Sequence, residues 1–84
     1  MVEITPAANK QLKRLPKLEV QRMRNQLEQL VQKENPINYL TPLKGDWAPF
    51  YKLRVGDYRL IIDVEGETLT LLLVRAGHRK DVYN

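Results

Sequence analysis

Apolar and polar positions alternate along Tyr51–Val64, Y-K-L-R-V-G-D-Y-R-L-I-I-D-V, on either side of a Gly56-Asp57 pair. Alternation of period two marks a half-buried strand. A Gly-Asp pair between two such runs predicts a two-residue hairpin, glycine supplying the positive φ of the tight turn. Closing the hairpin there sets Val55 opposite Tyr58, Arg54 opposite Arg59 and Leu53 opposite Leu60. Tyr51, Leu53, Val55, Tyr58, Leu60 and Ile62 then share one face, and Lys52, Arg54 and Arg59 share the other. Like charges directly across a strand pair are destabilising. Two facing arginines beside a lysine therefore point to a cradle for a polyanion, against the plainer reading of a solvated face that happens to be basic.

The flanking segments supply the remaining elements. Val2 and Ile4 alternate with Glu3, predicting a short first strand ended by Thr5-Pro6. Thr5 suits a helix N-cap and Pro6 the first helical position. Ala7 to about Leu15 reads as a short helix, with Ala8, Leu12 and Leu15 on one side and Lys10, Lys13 and Arg14 facing away, until Pro16 interrupts it. A second helix over roughly Lys17–Lys33 carries Val20, Met23, Leu27, Leu30 and Val31 as one apolar stripe. So short a connection implies an antiparallel helix pair. Asn35-Pro36 ends that helix, and Pro36–Pro49 reads as a loop pinned by Tyr39, Leu40, Leu43 and Trp47. After the hairpin, Glu65-Gly66-Glu67 turns the chain into a nearly continuous apolar strand, Thr68–Arg75, which Ala76-Gly77 breaks. Whether Arg75 joins the basic face or points away depends on the parity of that turn. The end, H-R-K-D-V-Y-N, reads as a short turn in which Arg79 and Tyr83 lie four apart on one side. The expected fold is α+β, a single domain over 1–84. It has an N-terminal strand, a two-helix antiparallel hairpin and a three-stranded antiparallel β-meander, giving a four-stranded sheet with both helices on one face and the other face open.

Composition narrows the class of function. Fourteen Lys and Arg against ten Asp and Glu leave a net charge of +4, which favours nucleic acid or an acidic partner. With no cysteine and a single histidine, His78, neither a disulfide framework nor a thiolate or His-rich metal site is expected. No apolar run approaches the length of a membrane span, and M-V-E-I-T-P lacks the pattern of a signal peptide. A small cytoplasmic domain without membrane partner is the expectation.

Taken together, L-K-G-D-W-A-P-F-Y-K-L-R-V-G-D-Y-R-L-I-I-D-V and V-R-A-G-H-R-K-D-V-Y resemble the RelE branch of the RelE/ParE superfamily, toxins of bacterial and archaeal type II toxin–antitoxin pairs. The likeness runs over nearly the whole chain. It implies a toxin that enters the ribosomal A site and cuts mRNA there, held inactive by a cognate RelB-like antitoxin, with no small-molecule cofactor. The basic and tyrosine catalytic positions of the family match Lys52, Arg54, Arg59, Arg79 and Tyr83. Arg54 stands where some members carry lysine, and His78 precedes Arg79 where others have a further basic residue.

The residue types fit such chemistry. Attack of an RNA 2′-OH on the adjacent phosphorus needs neither water nor metal. It needs alignment, removal of the 2′ proton, neutralisation of the phosphorane and protonation of the departing 5′ oxygen. Arginine stays protonated, so Arg59, with Arg54 and Arg79, suits gripping the scissile phosphate. Tyr83 is a candidate base, because nearby cations favour tyrosinate. Lys52 is a candidate for base or acid. His78, of the residue type that titrates nearest neutrality, is the rival for either transfer, or else a loop histidine bonded to backbone. Lys44, Arg75 and Lys80 are further expected RNA contacts, although Lys44 beside Gly45 better suits open solvent. Trp47 either stacks on a base or anchors its loop. Two other functions stay open: a ParE-like toxin that inhibits DNA gyrase on the same fold, and a non-catalytic remnant that only pairs with its antitoxin.

Overall fold

The computed structural model describes residues 1–65 and 70–78. The elements run β1 (Val2–Ile4), α1 (Pro6–Leu12), α2 (Lys17–Val31), β2 (Thr41–Pro42), β3 (Tyr51–Val55), β4 (Tyr58–Glu65) and β5 (Thr70–His78), with 3-10 turns at Pro36–Tyr39 and Gly45–Trp47. They form the expected α+β fold. The strands lie in the order β1-β5-β4-β3-β2, with β1 parallel to β5 and all other pairs antiparallel. The predicted four strands are thus joined by a fifth, the two-residue β2, which pairs Thr41 with Lys52 and Pro42 with Tyr51.

Local chemistry explains the helix boundaries. The Thr5 hydroxyl accepts from Ala8 N at 3.1 Å, and Pro6 occupies the first turn, where its missing N–H costs nothing. The helix closes earlier than expected, at Leu12. Arg14 N and Leu15 N donate to Gln11 O and Leu12 O, three residues back, tightening the chain into the turn before Pro16. Helix α2 follows the predicted stripe, burying Met23, Leu27 and Leu30.

Both helices cover one face of the sheet. Ala8, Leu12, Met23, Leu27 and Leu30 pack with Val55, Leu60, Ile62, Leu73 and Ala76 in one cluster, and Tyr51, Leu53 and Tyr58 pack against its margin. Each wholly buried Leu, Ile or Met contributes on the order of 1.5–3 kcal/mol. The hairpin closes at Gly56, φ +60°, in the predicted register: Val55 with Tyr58, Arg54 with Arg59, Leu53 with Leu60. An added Cβ at Gly56 would make only ordinary contacts with Glu19 and Arg22, so the requirement for glycine lies in the backbone.

Two expectations change. Ala76-Gly77 does not break the last strand. It continues to His78, because β4 offers a ladder out to Tyr58 and pairing outweighs the weak strand preference of Ala and Gly. The face away from the helices is not fully open either. Ile61 lies there, opposite Lys52 and Arg75, and is 0% exposed. The loop carrying Trp47 folds over the same side, with the Arg75 guanidinium 5.2 Å from the indole centroid.

Candidate functional site

The basic side chains of the hairpin stand in two rows across the sheet, on the side away from the helices. One row is Thr41, Lys52, Ile61 and Arg75; the next is Arg54, Arg59 and Gly77. Residues paired across antiparallel strands point to the same face, and neighbouring strands lie about 4.8 Å apart. Arg54 and Arg59 are therefore side by side, with Lys52 two residues along β3. Arg54 is exposed and its Nε donates to Gly56 O at 3.2 Å. Lys52 and Arg59 are half-buried.

A bulge decides which side Arg75 takes. From Glu65 to Ile62 the β4 ladder pairs with Thr70 to Leu73; from Ile61 onward it pairs with Arg75 to His78, so Val74 is the extra residue. An uninterrupted ladder would set Arg75 opposite Leu60, on the helix side. The added residue shifts the phase, and Arg75 falls opposite Ile61 on the basic face, with Gly77 opposite Arg59. A bulge inside the strand thus enters the parity at Arg75; the Glu65-Gly66-Glu67 turn expected to decide it lies largely outside the described residues.

A groove of about 410 Å³ runs beside these rows, lined by Tyr39, Thr41, Lys52, Leu53, Arg54 and Arg59, with no carboxylate among them. It exists because β2 pairs only as far as Lys52, leaving the outer edge of β3 uncovered toward Arg54. Tyr39, expected to pin the loop, is 58% exposed; Pro36 and Leu40 on either side are the buried anchors. Its role as a loop anchor is therefore not met, since nothing in the spacing of a proline-rich loop marks which aromatic points outward.

The other candidates separate. Lys44 is exposed on its loop, outside the groove lining. Trp47 is half-buried against Arg75, as a loop anchor would be. His78 pairs with Tyr58, and the two rings meet edge to face at 5.9 Å and 81°. Tyr58 packs against the helix-side core, so His78 lies on the side of the sheet opposite Lys52, Arg54 and Arg59. The structure does not bring it to them. Arg79, Lys80 and Tyr83 lie outside the described residues.

The chain is similar to known proteins over most of its length. Residues 2–83 match the family described as the ParE toxin of the type II toxin-antitoxin system parDE. The chain is 31% identical over 68 residues to toxin RelE3 of Methanocaldococcus jannaschii, covering 74% of this chain and 75% of that one. It is 33% identical over 48 residues to toxin RelG of Mycobacterium tuberculosis, and there it spans only about half of the relative, 55%, and 57% of itself. The structure aligns with the toxin–antitoxin complex RelB-RelE of Methanococcus jannaschii at a TM-score of 0.67 and 27% identity, over 96% of this chain and 94% of that one. A basic hairpin face on this fold, and a family match from one end of the chain to the other, lead to one conclusion: the chain belongs to the RelE/ParE superfamily of toxins of type II toxin–antitoxin systems.

Proposed function

We propose that this toxin is a ribosome-dependent mRNA endoribonuclease. The observation that carries the reading is the gathering of Lys52, Arg54 and Arg59 around one groove with no carboxylate among its described lining residues, with Arg75 on the same face beyond Ile61. Its relatives named RelE and RelG support the same branch. In this reading the 2′-OH of one nucleotide attacks the neighbouring phosphorus and the P–O5′ bond breaks. The products end in a 2′,3′-cyclic phosphate and a 5′-OH. Arg59 and Arg54 hold the non-bridging oxygens as charge builds, joined by Arg79, and loss of one such contact costs on the order of 3 kcal/mol of transition-state stabilisation. Tyr83 takes the 2′ proton, with Lys52 as the alternative base or as the acid for the leaving oxygen. Both assignments for Arg79 and Tyr83 rest on the family resemblance. The ribosome supplies the in-line geometry that a set of cations cannot impose on flexible RNA by itself.

A RelB-like antitoxin is the proposed partner, as in the Methanococcus jannaschii complex. The groove of about 390 Å³ between the helices has Leu12, Leu15 and Val20 at its floor and Lys13, Lys17 and Arg24 at its rim, which suits an acidic amphipathic segment. A second reading, gyrase inhibition, is favoured by the ParE designation of the matching family.

Induction of the chain followed by mapping of cellular mRNA ends tests the proposal. Codon-phased cuts with 5′-OH ends inside reading frames, lost in Arg59→Ala and Arg79→Ala, are expected. Intact mRNA with blocked supercoiling would establish the gyrase reading instead.

A further inference from the structure

Tyr39 stands between two grooves. It and Leu53 line both the basic groove and a second one, of about 300 Å³, whose other walls are Gln26, Gln29, Leu30 and Lys33 of α2 and the residues just after it. The Lys33 ammonium sits over the Tyr39 ring, 4.9 Å from its centroid, so one ring face is taken from the α2 side. The same side chain also borders the basic groove and is 58% exposed, which leaves aromatic surface open to a ligand there. The backbone that carries the ring is held: Pro36 and Leu40 are buried at either side, and Asn38 N and Leu40 N donate to Asn35 O and Ile37 O within the 3-10 turn.

A fixed aromatic face beside a row of cations is the combination that binds single-stranded nucleic acid, the cations tracking phosphates and the ring stacking a base. We infer that Tyr39 is a stacking platform for one nucleobase of the bound RNA, next to the phosphate held by Arg54 and Arg59. Lys33 braces the far side of the ring. The inference rests on the RNA reading of the groove, and adds to it a base-binding residue that makes no contact with the reacting atoms.

Binding of uncleavable 2′-O-methyl RNA hexamers to the full chain, measured by fluorescence anisotropy over a salt series, tests it. Tyr39→Ala is expected to bind about 5- to 150-fold more weakly with an unchanged salt dependence, and Tyr39→Phe to bind as the parent does. Arg59→Ala is expected to flatten the salt dependence. Replacing one nucleotide by an abasic one should weaken the parent by the same factor as Tyr39→Ala and weaken Tyr39→Ala no further. Equal thermal melting of parent and Tyr39 variants excludes a folding effect. If Arg59→Ala weakens binding and Tyr39→Ala does not, stacking at Tyr39 is wrong and the basic groove stands. If neither the parent nor Arg59→Ala binds RNA, the RNA reading of the groove falls, and the stacking role with it.

Discussion

Arg59 stands directly across the β4–β5 ladder from Gly77, so the central cation of the basic face has bare backbone for its neighbour on one side and Arg54 on the other. The arrangement crowds charge on the β3 side of Arg59, while on the β5 side no side chain stands in register with it.

A side chain placed at Gly77 tests whether a ligand uses that side of Arg59. Gly77→Val places a branched side chain opposite Arg59 at a position where strand backbone accepts it readily. The variant is expected to fold normally and to lose about tenfold or more in RNA affinity, the equivalent of roughly 1.4 kcal/mol. Gly77→Ala should fall between the two. Parent-like binding by Gly77→Val would mean the space beside Arg59 goes unused.

The facing arginines carry their own signature. Opposed like charges on an antiparallel pair destabilise it by up to about 1 kcal/mol. Arg54→Thr should therefore raise stability by a few tenths to about 1 kcal/mol at low ionic strength, its exposed bond to Gly56 O offsetting little, while it weakens RNA binding. The gain should shrink as salt is added. Urea unfolding at two salt concentrations measures it; a variant less stable than the parent at low salt would show that the pair is not in conflict.

Gln11 reaches from α1 to the last strand. Its Oε1 accepts from Ala76 N at 2.8 Å, beyond the point where β1 stops pairing with β5 at Leu73. The side chain so occupies a strand edge that would otherwise present an unpaired donor. Gln11→Ala is expected to cost about 1–2 kcal/mol, and Gln11→Glu, which keeps an acceptor, to recover most of that. Amide exchange at Ala76 should quicken in the first variant only.

Much of this was legible in the residues. The Gly-Asp turn and strict alternation determine the hairpin register, because a one-residue slip would turn Leu53, Val55 and Leu60 into water. The Thr5 cap and the α2 stripe were equally plain, each being a local signal with a single reading. What escaped depends on distant partners. Two residues between prolines carry no period, so β2 is visible only once β3 lies beside it. Ala76-Gly77 looks like a break until the β4 ladder is there to extend it. The placement of His78 away from the cations follows from its pairing with Tyr58, a contact twenty residues apart in the chain. Arg75 could not be assigned because its side depends on an irregularity within a strand, which no pattern of residues announces.

The surplus residue at Val74 bears on how any two members of such a family should be compared. A strand that has absorbed one residue can release it again and leave Leu73 and Arg75 against the same neighbours, Ile62 and Ile61. Homologues differing in length by one at that point would still present matching side chains on the basic face. Equivalence for the positions from Arg75 onward is therefore best read from their partners on β4, with Arg59 as the fixed mark, and counting along the chain alone would misalign the residues of the basic face by one.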